Sequence, residues 1–239
     1  MARDNKTVEE FLDLYRQLES CINERYGLKG KDRGVGWLVH NPQKDLGQVT
    51  AELDYCREVR NLLTHRPKLA GEYAVEPSAA ILDTLKFTID RIRNPMLALS
   101  AGIPVSKVFS CVLADYVKPA LVKMDKCCYT HIPIMEDGRV VGAFSENTLL
   151  SCLIDDEIME VSQETTFEGI AKYLPLNVHT SESFRFVPRA TTVAEIAAVF
   201  AEAISKGDRV GMIFITESGK PDESLLGIIT VWDVANHMR

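Results

Sequence analysis

The feature that most constrains this chain is an order of elements that occurs twice after about Met96: strand, helix, strand, hairpin turn, strand, closing helix. In the first pass, short β-branched runs at Val105 to Val108, His131 to Met135 and Arg139 to Phe144 alternate with helical segments, and Asp137-Gly138 is a hairpin turn signal. In the second pass the pattern predicts a helix from about Val193 to Ser205 and a strand from Val210 to Thr216. A turn at Ser218-Gly219, a strand from Leu225 to Thr230 and a helix from Val231 complete it. So long a period describes two copies of a small module, about 98–160 and 161–239, and not a solenoid.

The first 97 residues follow a different rule. Val8, Phe11, Leu12, Tyr15, Leu18, Ile22 and Tyr26 form one apolar stripe, which predicts a helix from about Thr7, whose hydroxyl can cap it, to Tyr26, where Gly27 and Gly30 end it. From Lys29 to Gln43 glycine, lysine, aspartate and proline predict a loop with room for a short helix, plugged by Trp37 and Leu38. Val49, Leu53, Cys56, Val59 and Leu63 mark a second long helix, from about Leu46 to Arg66, which Pro67 stops. Ile81, Leu82, Leu85, Ile89 and Ile92 mark a third, with Pro77 suited to its first turn and Pro95 at its end. The fold class is therefore α + α/β, with an N-terminal helical bundle over residues 1–97 ahead of the two modules.

Within the second long helix, Arg60, Asn61 and His65 are the residues best suited to acid–base chemistry. An imidazole can move a proton near neutral pH, a guanidinium stays charged, and an amide can orient either. That set suits attack of an RNA 2′-hydroxyl on its neighbouring phosphate without a metal. On a regular helix residues five apart sit about 140° round the axis, so these two are expected to meet only if the end unwinds or a second chain contributes. The motif resembles that of the HEPN domains, helical bundles many of which are metal-independent ribonucleases; the resemblance implies Arg60, Asn61 and His65 as catalytic residues. Arg33 and His40 fit the same loose spacing, but Gly34 follows the arginine and the pair lies in the glycine-rich loop, so it is set aside. The other reading of the motif is a solvated Arg60 and a His65 that favours the negative end of the helix dipole.

The repeated region resembles a tandem pair of cystathionine β-synthase (CBS) domains. His131-Ile132-Pro133-Ile134 with Asp137-Gly138-Arg139-Val140-Val141-Gly142 matches the paired central strands of that family, and Gly227-Ile228-Ile229-Thr230-Val231-Trp232-Asp233 matches its closing signature. Such domains commonly bind adenosine nucleotides, so the resemblance implies a ligand site using Gly227, Thr230 and Asp233, with Thr230 at a helix N-terminus facing phosphate and Asp233 on the ribose. An N-cap with an acid in the first turn accounts for the same pair. In the first copy Ser145 keeps the hydroxyl, but Thr148 stands where the acid belongs, so one nucleotide per chain is expected. His131 falls where related domains carry a basic residue facing phosphate, although packing beside Pro133 would explain it too. Trp232 is expected to be buried, and Asp155-Asp156-Glu157 to be a solvated acidic link.

A net charge of −7 argues against a general nucleic-acid coat, because sequence-independent phosphate binding needs a basic field. Arg57, Arg60, Arg66 and Lys68 nevertheless cluster around the motif. The six cysteines show no zinc-ligand spacing, and Met1 to Lys6 has no apolar signal core, which predicts reduced thiols, no metal, no membrane span and a cytoplasmic protein. Together the two resemblances imply a homodimeric ribonuclease acting on RNA and regulated by an adenine nucleotide or S-adenosylmethionine. The alternative is a nucleotide sensor without catalysis, whose helical domain dimerises or docks a partner.

Overall fold

The computed structural model describes residues 5–30, 33–41, 46, 49–65, 68, 72–73, 75–154 and 162–237. The chain divides into two units, Met1–Pro95 and Met96–Arg239.

The first unit is built from α1 (Lys6–Arg25), α2 (Gly34–His40), α3 (Thr50–His65) and α4 (Ala79–Arg93). Their apolar stripes meet in one core: Phe11, Leu18 and Ile22 of α1 pack with Val35 and Leu38 of α2, Leu53 and Leu63 of α3, and Leu85 and Ile89 of α4. Helix α1 begins one residue ahead of the expected Thr7, with Asn5 at the N-cap and no side-chain capping bond, so the Thr7 hydroxyl does not cap it. Helix α3 is seen through His65; the expected terminal residue, Arg66, lies outside the described residues. Burial pushes the Cys56 thiol up to about 11, as it does that of Cys111 in the second unit, so neither is a ready thiolate. None of the six cysteines is joined in a disulfide, and Cys128 is the exposed one.

The second unit runs α5 (Ala98–Ala101), β1 (Ile103–Pro104), α6 (Val117–Cys127), β2 (His131–Glu136), β3 (Arg139–Ser145), α7 (Glu146–Ile154), β4 (Ser183–Pro188), α8 (Val193–Ser205), β5 (Val210–Thr216), β6 (Gly227–Ile229) and α9 (Val231–His237). Strands β2 and β3 form a hairpin. Both of its turn residues, Asp137 and Gly138, take positive φ, which matches the right-handed twist of the strands they join. The other strands form a sheet in the order β1-β6-β5-β4, with β4 parallel to β5 and the remaining pairs antiparallel. The strand expected at Val105 to Val108 is instead a 3-10 turn over Val105–Lys107, and pairing stops at Pro104.

The two halves of this unit exchange segments. Ala98 and Ala101 pack with Ile196, Phe200, Ile213 and Val234, and Ile103 pairs with Ile228, so residues ahead of the first hairpin complete the second half. In return Phe167, Ile170 and Leu174 enter the core of Val117, Ile132, Ile134 and Phe144. A linear division near residue 160 does not describe this exchange. A third cluster, of Val140, Ala143, Phe184, Met212, Phe214 and Ile228, joins hairpin to sheet. The expected Asp155-Asp156-Glu157 link lies outside the described residues.

Helix α8 is fixed at its start by a capping box: the Thr192 hydroxyl accepts from the Glu195 N–H at 3.3 Å, and the Thr192 N–H donates to the Glu195 carboxylate at 2.7 Å. Thr192→Ala is therefore expected to cost about 1 kcal/mol in urea denaturation.

Candidate functional site

In the first half of the second unit, His131 and Ser145 meet at a residue the sequence did not single out. Glu182 lies just ahead of β4 with its side chain 1% exposed. Its Oε2 accepts from His131 Nε2 at 2.7 Å and from Asn147 Nδ2 at 3.1 Å, and its Oε1 accepts from the Ser145 hydroxyl at 2.5 Å, with His179 Nδ1 at 3.3 Å. Burial alone would raise the Glu182 carboxyl; hydrogen bonds from His131, His179 and Ser145 outweigh it and hold the group well below the usual carboxylate range. Thr130 Oγ1 lies 2.8 Å from His131 Nδ1, so a ring carrying its proton on Nε2 can accept the hydroxyl and donate to the carboxylate. Gly211 of β5 makes room for that ring, since a Cβ there would lie 2.6 Å from His131 Nε2. His131 thus turns toward a carboxylate of its own chain.

The hydroxyl at Ser145 also closes the start of α7. The Ser145 N–H donates to Thr148 Oγ1 at 3.0 Å and the Thr148 N–H to Ser145 Oγ at 3.2 Å. The second half repeats this arrangement with an acid: the Thr230 N–H and hydroxyl both donate to Asp233 Oδ2, at 2.8 and 2.7 Å. Thr230 and Asp233 are thereby brought together at the start of α9, with the acid accepting both Thr230 donors, which is half of the reciprocal pattern of a capping box. Gly227 is required by packing, because a Cβ on it would lie 2.7 Å from the Ile103 carbonyl oxygen. Trp232, expected inside, is 76% exposed. Helix α9 has two turns and buries Val234, and Trp232, two residues earlier, falls on the opposite face.

In the first unit the structure brings Arg60, Asn61 and His65 together within one chain. Arg60 Nη1 lies 3.0 Å from His65 Nε2 and 3.3 Å from Asn61 Oδ1. Neither unwinding nor a second chain is needed for this contact, contrary to the expectation from helical angle. The guanidinium stands at the end of a long flexible stem, and His65 is the last residue of α3. A guanidinium has donors only, so the contact uses the lone pair on Nε2 and fits a neutral ring with its proton on Nδ1. Beneath it the Arg60 guanidinium lies 5.8 Å from the ring centre of Tyr15. Burial, then the nearby Glu19, push the Tyr15 hydroxyl up, against the opposing effect of Arg60 and Arg57.

The basic cluster around this site is largely engaged. Arg57 pairs with Asp54 at 2.6 Å, and the Lys68 ammonium lies 4.1 Å from the ring centre of Tyr73; Arg66 lies outside the described residues. Among the described residues no group of three or more His, Cys, Asp and Glu side chains is arranged to hold a metal ion, and no helix is long and apolar enough to cross a membrane.

No protein-family model matches the chain, and no curated protein does. Among solved structures, CBSX2 in complex with AMP matches at 18% identity over 59% of this chain and 95% of that one, with a TM-score of 0.42. AcuB from Vibrio cholerae, described as an acetoin utilization protein, matches at 16% identity over 60% and 90%, with a TM-score of 0.43. A hemolysin-like protein containing a CBS domain, from Oenococcus oeni, matches at 15% identity over 61% and 91%, with a TM-score of 0.40. At these identities and TM-scores the likenesses fix neither a ligand nor an activity.

Proposed function

We propose that the chain is a nucleotide-regulated, metal-independent ribonuclease, in which the second unit is a CBS pair that takes an adenosine-type ligand and the first is a HEPN-type catalytic bundle. The observation that carries the catalytic half of this reading is the 3.0 Å contact between Arg60 Nη1 and His65 Nε2. It sets an exposed imidazole nitrogen against a guanidinium. A phosphate drawn to Arg60 would free Nε2 to take the proton of an RNA 2′-hydroxyl. The 2′-oxygen then bonds to phosphorus, the bond to the 5′-oxygen breaks, and that oxygen takes a proton from water, giving a cyclic phosphate and a 5′-hydroxyl end. Arg60 offsets the charge on the phosphoryl oxygens, and Asn61 holds Arg60 in place. Ligand binding to the CBS pair of a homodimer would act by favouring one arrangement of the catalytic bundles over another.

A second reading is supported by the engagement of Arg57 and Lys68 within the chain and by the net charge of −7, which leave a narrow basic surface for RNA. Here the protein is a nucleotide sensor whose helical unit dimerises or docks a partner. The two are separated by incubating labelled RNA, in EDTA, with wild type and His65→Ala, each with and without AMP, ATP or S-adenosylmethionine. The ribonuclease reading expects cleavage that survives EDTA, falls about 100-fold or more in the variant and changes with one ligand. Absence of cleavage, with thermal stability still raised by a nucleotide, would establish the sensor.

A further inference from the structure

Four side-chain donors from separate parts of the second unit converge on one carboxylate. His131 opens β2, Ser145 closes β3, Asn147 lies in the first turn of α7, and His179 comes from the segment ahead of β4. Residues 37 and 51 positions apart are thus held on the two oxygens of Glu182. Packing alone does not ask for this, because a buried ion cluster contributes little net stability over apolar side chains of the same volume. The arrangement is that of a receptor for a small oxyanion. It has two imidazole nitrogens, a hydroxyl and an amide, and the N-terminal end of α7 adds its dipole. The cluster also reaches solvent at its edge, since the His131 side chain is 13% exposed and Asn147 is half-buried.

We infer that His131, Ser145, Asn147 and His179 form an oxyanion-binding site and that Glu182 is its resident anion, an internal carboxylate that closes the first half of the unit to phosphate-bearing or carboxylate ligands. While Glu182 is in place, a second anion meets both like charge and donors already in use. Displacing or removing that side chain vacates a space already lined for a small anion. Thr148 in place of an acid then accounts for only part of why this half would take no nucleotide; the filled anion position accounts for the rest. The site is defined by its donors and tested with small simple anions, so it stands or falls apart from the nucleotide reading.

The test is thermal unfolding of the full-length wild type, Glu182→Ala and Glu182→Gln in sodium chloride, phosphate and acetate at matched ionic strength and neutral pH. Glu182→Ala is expected to melt below wild type in chloride and to gain about 4 °C or more in phosphate or acetate, beyond any gain of wild type. Glu182→Gln keeps the space filled and is expected to show no such gain, and adding Ser145→Ala to Glu182→Ala should weaken the response. A folded Glu182→Ala with no anion-dependent gain, or an equal gain in Glu182→Gln, would overturn the inference. Should Glu182→Ala fail to fold in chloride, its refolding yield gives the same reading: recovery in phosphate or acetate supports the site, and equal failure in all three salts refutes it.

Discussion

Gly102→Ala is expected to cost about 3 kcal/mol of stability, from the addition of a single methyl group. A Cβ at this position would lie 2.3 Å from the Ile228 carbonyl oxygen and 3.1 Å from both the Ala98 carbonyl oxygen and Ile229 Cβ. The backbone at Gly102 is extended, with φ −86° and ψ −165°, so any residue could adopt it and the whole effect is one of space. Space cannot be made cheaply, because two of the three obstructing atoms are backbone oxygens. One belongs to the strand that pairs with β1, and the other closes α5 by accepting from the Gly102 N–H at 2.8 Å. Moving β1 away would open the pairing through which residues 98–104 complete the second half. Urea denaturation followed by circular dichroism gives the cost. Gly169→Ala is the control, since the nearest atom to its Cβ would be Thr166 Oγ1 at 4.0 Å, and it is expected to stay within about 0.5 kcal/mol of wild type. Equal midpoints for the two variants would show that β1 is not held as tightly as its contacts imply.

The same exchange of segments marks where sequence reading stops. Helix α8 and strand β5 were legible over their full extents, because Val193, Ile196, Ala197, Phe200 and Ala203 keep helical spacing and Val210 to Thr216 is an apolar run of strand length. Strand β4 carries no such run. Arg185 interrupts Phe184 and Phe186, and its buried residues, Phe184 and Val187, do not alternate. Nor does any local pattern announce that Phe167 and Leu174 belong to the first half, since their partners lie across a long gap in the chain.

Site residues divide in the same way. Arg60, Asn61 and His65 could be found because the spacing that suggests their chemistry lies within one helix, although helical angle underestimated the reach of an arginine. Thr230 with Asp233 and Ser145 with Thr148 were visible as hydroxyl-led pairs three residues apart, a spacing shared by ligand signatures and helix caps alike. Glu182 and His179 gave no sign, because they sit among other polar residues, Asn177, Thr180, Ser181 and Ser183, in a stretch whose meaning comes from β2, β3 and α7. A glutamate followed by a strand is ordinary; its burial among two imidazoles is a property of the fold.

That burial sets the second large effect. Glu182→Gln keeps the shape of the side chain but removes the charge held by His131, His179 and Ser145, and breaking one member of a buried charged cluster is expected to cost about 3 kcal/mol at neutral pH. The sign of its pH dependence follows from the direction of the shift. In the folded chain the carboxyl is held below its ordinary value of about 4.3, so near that pH the unfolded chain binds more protons than the folded one. The contribution of the carboxylate is therefore fully present above about pH 4.3 and is lost as the pH falls toward the folded value. Urea midpoints of wild type and Glu182→Gln should differ most at and above about pH 5 and converge in stronger acid, with the loss coming from wild type. A difference that stayed constant from about pH 5 down to pH 3 would mean that the four donors hold Glu182 by shape and not by charge, which would remove the electrostatic basis of the oxyanion site as well.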